Sequence, residues 1–521
     1  MKLDAHSAER IGANWLRTAL APQSEFGRRA DAGPTHFQPG EEELARARCE
    51  QIVALAGGLD NAGVARIRAL LRRAPDPHAL LARMRAGDPL DDVDFFELGR
   101  FVDMLAQIAD AWRGAGGDPA TQPPVVHEVT RVLAPFRSDG SFTLGVPPEA
   151  RAAYALADAT FERECQRLRA TLAPLLGFVP TGDEFIVMRD VLAAVPPGVR
   201  VVRETPAYRT LSVALDAAAI EAGLQRDRAR AELATHEATT RRELATVLAP
   251  QIDALERAMR ELGELDRTLA RVAFTQRYGG CVPAAATDML SFEDATYAPL
   301  HAALEAEGFA YTPIAVTLRG MTVLTGPNMG GKSAALATCG FVAWCFANGV
   351  PPPAKRASLP LFATIAWIGG EIAHDRARLL SAFGGEVVRA REELADRAQP
   401  ALVLVDEFAR TTGPREGRAL LVAFIETLQA RGTLGLVATH FERVATSAEV
   451  GALRIAGLRA TPSVERTGDL HAALDAIAHA MDYRVVSAAA ADVRSDALEV
   501  ARLLGLDAAL LARAKELYAT E

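Results

Sequence analysis

A lysine and a serine close a glycine-rich run, Thr325-Gly326-Pro327-Asn328-Met329-Gly330-Gly331-Lys332-Ser333. These residue types suit the holding of a polyphosphate. The glycines let successive backbone N–H groups converge on phosphate oxygens, the Lys332 ammonium bridges the outer phosphates, and the Ser333 hydroxyl can join the shell of a Mg²⁺ ion. An apolar run from Met321 to Leu324 precedes the glycines and another from Ala334 to Phe346 follows them. That order predicts a strand, a tight turn and a helix whose N-terminus adds its positive end to the site. Candidate ATP contacts are therefore Gly326, Pro327, Asn328, Met329, Gly330, Gly331, Lys332 and Ser333. Of the 57 basic residues, all but Lys2, Lys332, Lys355 and Lys515 are arginine. A lysine in the loop of so arginine-rich a chain points to a place where a slim ammonium is required.

Hydrolysis needs acids as well as a cradle. Ala401 to Val405 is a short, wholly apolar run that reads as a strand buried on both faces, and it ends in Asp406-Glu407. At the C-terminal edge of an open α/β sheet, Asp406 is placed to hold Mg²⁺ and Glu407 to orient or deprotonate the attacking water. A further apolar run, Leu434 to Ala438, ends in Thr439-His440. An imidazole at that tip can hydrogen-bond a terminal phosphate or the water, which makes His440 a second catalytic candidate.

In these segments the chain resembles the ATPase domain of the MutS family, related to the ABC-type ATPases. The loop from Thr325 to Ser333 is similar to that family's signature nearly letter for letter. Gly349-Val350-Pro351 with Ala354, Ser381-Ala382-Phe383-Gly384-Gly385-Glu386, the stretch from Asp406 to Thr412 with Glu416-Gly417, and Ala438-Thr439-His440-Phe441 resemble four more of its segments, in order. The resemblance implies that Ser381 reaches the nucleotide of an opposite protomer, and Tyr311 is taken as a further nucleotide contact. It also implies dimerisation through C-terminal helices in 497–515, with a like or a second MutS-like chain. Ala409 and Thr411 stand where the family pattern has glycines, Gly413-Pro414 replaces its Ser-Thr, and the stretch before Ser381 lacks its glycine. These departures bear on coupling between two sites rather than on hydrolysis.

The expected architecture is an α/β P-loop ATPase domain of ABC/MutS type over 291–521, preceded by a mainly α-helical core and lever domain over 1–290. In the latter, apolar residues recur at helical spacing from Glu41 to Ala56, Val64 to Met104 and Pro148 to Leu176. Phe185 to Met188 and Val199 to Val202 read as short strands around Pro196-Pro197-Gly198. A stripe of heptad type, Leu244, Leu248, Ile252, Leu255, Met259, Leu262, Leu265, Leu269 and Val272, is interrupted by Pro250 and reads as a lever arm. Asp266 and Ala273 fall where the family has its lever motif. Asp94-Phe95-Phe96-Glu97 imitates the F-x-E wedge of mismatch sensors, but inside a helical stretch it reads as core packing. Arg226, Arg228, Arg230, Arg241 and Arg242 alternate with acids and read as a solvated face.

The chain has 521 residues, half of them apolar, and a net charge of −9, which gives no global basic footprint for nucleic acid. Its start lacks an apolar signal core and no apolar stretch is long enough for a membrane, so a cytoplasmic protein is expected. Five scattered cysteines read as reduced thiols. Two functions fit: an ATP-switched dimeric clamp on double-stranded DNA, of mismatch-repair type without the wedge and connector domains, or a remodelling ATPase. The second follows from the tail around Met481 to Arg484, which resembles short family members associated with reactivating cobalamin-dependent lysine 5,6-aminomutases.

Overall fold

A computed structural model describes residues 1–30, 36–138, 141–182, 184–192, 194–327, 330–370, 382–394, 399–410, 412–441, 443–445, 449–458, 479–488, 496–503 and 506–520. The chain divides into two compact units, one of residues 1–73, 108–123 and 260–521, the other of 74–107 and 124–259.

The first unit is built on a six-stranded sheet. Its strands are β1 (Met321–Thr325), β2 (Thr364–Gly369), β3 (Ala401–Asp406), β4 (Leu434–Ala438), β5 (Gly451–Leu458) and β6 (Met481–Ser487). They lie in the order β2-β3-β4-β1-β5-β6, parallel except for β6. β4 throughout, and β3 up to its last residue, Asp406, are apolar because both faces of the sheet are covered. Leu402 and Leu404 point into a core shared with helix α1 (Lys332–Ala347), while Val403 and Val405 meet Phe424, Ile425 and Leu428 of α3 (Pro414–Ala430). A helix α2 (Ala382–Leu394) lies between β2 and β3 in sequence. α1 is buried almost all round, and the stripe expected of a surface helix is accordingly missing from its sequence. Cys339 and Cys345 are buried packing residues within it, and all five cysteines are free.

Asp266 explains why a carboxylate interrupts an otherwise amphipathic helix, Ile252–Tyr278. It is fully buried and accepts the N–H of Gln23 (3.1 Å) and both the N–H and hydroxyl of Ser24 (2.7 Å each). Ser24 in turn accepts Gly27 N–H (3.1 Å), so the carboxylate anchors the first turn of helix Glu25–Ala30. Asp266→Ala strands these buried donors and is expected to cost about 3 kcal/mol of stability, read by urea unfolding. A change below about 0.5 kcal/mol would show that the anchor is dispensable.

In the second unit, helices Pro148–Leu176 and Ala217–Leu248 run antiparallel: Arg167 meets Asp216 (2.5 Å) and the Phe161 ring lies under Arg226 (4.2 Å). Between them in sequence comes an antiparallel sheet of Glu184–Met188, Tyr208–Val213 and Val199–Glu204, in that order. Its last strand in sequence, Tyr208–Val213, was not anticipated, since polar and apolar residues there alternate only loosely. Leu172 and Leu176 pack with Phe185, Val187 and Leu211. Phe95 is buried and stacked on Phe142 (5.7 Å), as the packing reading of Phe95-Phe96-Glu97 expects. Pro250 ends one helix at Leu248, and the next starts at Ile252 after a 3₁₀ turn. Among the described residues, no helix is long and apolar enough to cross a membrane.

Candidate nucleotide site

Register brings the candidate residues to one edge of the sheet. Gly369 pairs with Asp406, Asp406 with Ala438 and Ala438 with Leu324, so β2, β3, β4 and β1 end level with one another. Backbone bonds continue past the ends: Glu407 N–H donates to Ala438 O (3.0 Å) and Thr439 N–H to Leu324 O (3.1 Å). The acidic pair, the Thr439-His440 corner and the glycine loop are thus tied tip to tip.

The loop leaves β1 with Gly326 at φ +147° and enters α1 through Gly331 at φ +89°, backbone conformations that a side chain would strain. A Cβ at Gly330 would also stand 2.9 Å from Pro327 O. Lys332 begins α1, buried, and its ammonium donates to Gly326 O (2.9 Å) and Pro327 O (3.1 Å). Burial lowers its pKa, while Glu407 and Asp406 act in the opposite sense. Ser333, the next residue, hydrogen-bonds Asp406. Burial raises the pKa of Asp406 and this hydrogen bond opposes the rise; Glu407 adds to it, and Arg10 and Lys332 counter it. Two hard oxygen donors from separate elements, joined across the site, are the donor set that Mg²⁺ takes. Asn328 and Met329 lie outside the described residues.

Glu407 has φ +54° and Ala409 φ +61°, both in the left-handed region that non-glycine residues avoid. The site over-determines both. Glu407 is held by Ala438 O, and Ala409 N–H donates to Glu386 (2.7 Å), a carboxylate of α2 that burial shifts upward in pKa. The alanine that stands where the family pattern has glycine therefore carries real backbone strain. Arg410 pairs with Glu407 (2.9 Å).

His440 is exposed at the β4 tip with its ring 4.5 Å from Phe441. The Tyr311 hydroxyl accepts Tyr297 N–H (2.9 Å) and meets Thr338 in α1, and its ring is 5.4 Å from His301. Ser381 lies outside the described residues. Sequence reasoning passed over Tyr483, which β6 brings to within 3.4 Å of where a side chain on Gly331 would begin. Only the strand order, with β6 two strands from β1, could have revealed it.

A sheet edge that gathers a glycine turn, a buried lysine, a serine–aspartate pair and a second acid defines a domain of the ATPase type. Residues 322–520 match the family model described as MutS domain V. The match assigns residues 322–520, less than half of the chain, to a domain of the MutS family. The chain is 36% identical over 197 residues to the endonuclease MutS2 of Thermomicrobium roseum, covering 37% of this chain and 23% of that protein. The endonuclease MutS2 of Pelotomaculum thermopropionicum is 29% identical over 284 residues, 54% of this chain and 33% of its own length. The DNA mismatch repair protein MutS of Geobacillus thermodenitrificans is 30% identical over 282 residues, 53% and 29%. The matches thus span a third or less of these relatives' length.

Proposed function

We propose that the chain is a P-loop ATPase that hydrolyses ATP with Mg²⁺ and uses the cycle to switch a pair of chains on double-stranded DNA. The observation that carries the ATPase half is the Ser333–Asp406 hydrogen bond beside the Lys332 ammonium. In this reading Lys332 and the loop N–H groups hold the phosphates, Ser333 and Asp406 hold the metal, and Glu407 takes a proton from the attacking water. Mg²⁺ supplies charge neutralisation at the terminal phosphates. His440 steadies the water or the phosphate, Tyr483 offers its ring beside Gly331, and Ser381 acts on the partner's nucleotide. The DNA half is supported by the relatives, named for endonuclease and mismatch-repair activities.

DNA stimulation of the ATPase is the test, with paired and mismatched duplexes at two salt concentrations. Stimulation is expected to fall on the order of tenfold between about 50 and 200 mM salt, as counterion release requires. The two duplexes should differ by less than about twofold, because Phe95, buried and stacked on Phe142, is not available as a wedge. An ATPase indifferent to DNA at low salt would remove the DNA half, and stimulation by a cobalamin-dependent aminomutase would then favour remodelling.

A further inference from the structure

The first ten residues are fastened along β2, the edge strand nearest the acids. Lys2 N–H donates to Ala363 O (2.7 Å) and Ile365 N–H to Lys2 O (3.1 Å). Helix Ala5–Arg10 is capped by Asp4, which accepts Ser7 N–H (2.9 Å) and the Ser7 hydroxyl (3.0 Å). Ser7, wholly buried, itself accepts Trp367 N–H from β2 (2.8 Å). A ring nitrogen of His6 reaches Gly369 O (3.2 Å), and the Tyr297 hydroxyl donates to Arg10 O (3.3 Å). Ile11 then packs against Gly340 of α1, where a larger residue would collide with it.

These contacts leave the Arg10 side chain at the tip of β2. Its guanidinium lies where a side chain on Gly370 would have to go, and Gly370, at φ +81°, follows Gly369, the register partner of Asp406. Arg10 is close enough for its charge to act on the Asp406 carboxyl, as Lys332 does. The strand order puts these cations on opposite sides of the acid, Arg10 from β2 and Lys332 from the β1 loop. A triphosphate arriving beside Asp406 and Glu407 concentrates negative charge, and fixed cations on both flanks offset it without reorganising.

The geometry points to Arg10 as a positioning residue of the nucleotide site: the N-terminal helix delivers a second cation that flanks Asp406 and favours the terminal phosphate. This rests on the ATPase reading proposed above. Its distinguishing mark is selectivity for ATP over ADP, because a residue that merely pins the N-terminal helix has no reason to sense one phosphate.

The experiment measures ATP and ADP affinity, kcat and KM for the wild type, Arg10→Gln, Arg10→Lys and Lys332→Ala proteins in Mg²⁺, with melting temperatures alongside. Arg10→Gln is expected to lose about tenfold in ATP affinity, about 1.4 kcal/mol, while ADP affinity changes less than about threefold. Arg10→Lys, which keeps the charge, should recover most of the loss. Unchanged ATP affinity in Arg10→Gln, or equal losses for ATP and ADP with a lowered melting temperature, would overturn the inference. If Arg10→Gln does not fold, Arg10→Lys decides: a retained preference for ATP supports the role and a lost one ends it. A wild-type protein that binds no ATP, or a Lys332→Ala protein that binds it normally, removes the ATPase reading and this inference with it.

Discussion

Glu407→Gln is expected to bind ATP within about twofold of the wild type and to hydrolyse it roughly 10³-fold more slowly. The amide is nearly the same size as the carboxylate, so the left-handed backbone at this position and its bond to Ala438 O have no reason to change. The phosphate cradle is made by other residues. What the amide cannot do is accept a proton from water. Equilibrium binding and single-turnover hydrolysis, measured on the same preparation, separate the two effects. Turnover at the wild-type rate would remove Glu407 from the chemistry and leave Asp406 and His440 to be examined.

Lys332→Met should do the reverse. ATP affinity is expected to fall by about 10² to 10³, or roughly 3–4 kcal/mol, because a buried cation on the outer phosphates makes charge-assisted bonds that methionine cannot. Folding stability should change by no more than about 1 kcal/mol. The ammonium is buried and donates to two loop carbonyls, so losing those bonds is offset by no longer burying a charge. Calorimetric titration with ATP and a denaturant melt without nucleotide give the two numbers. A variant that binds ATP normally would mean that the loop does not hold phosphate through this side chain.

Much of the site was legible because its chemistry depends on residue types at fixed short spacing. The run from Thr325 to Ser333, the acids ending Ala401 to Val405 and the corner after Leu434 to Ala438 each announce themselves locally, and the parallel sheet aligns their ends. What was not legible depends on pairing between distant segments. Nothing in Met1 to Arg10 marks it as an addition to the edge of β2, since that contact is made by main-chain groups, one serine hydroxyl and one histidine ring. Tyr483 was hidden for the same reason. Asp266 could be placed in a pattern, but its task required seeing Gln23 and Ser24 beside it. Ala409 could be recognised as a departure, and its strain only once φ was known.

The placing of β4 between β1 and β3 has a consequence for how far this chain can drift. The gap between the phosphate loop and the acids equals two inter-strand spacings, roughly 10 Å, and main-chain hydrogen bonds set that spacing whatever side chains the strands carry. Exchanging Leu436 or Val437 for another apolar residue alters packing on one face and leaves this gauge untouched. A slip of one residue in the pairing of β3 with β4 is another matter, because it would turn Asp406 to the opposite face and undo the tips together. Wear in the core is tolerated, and an insertion or deletion within these strands is not.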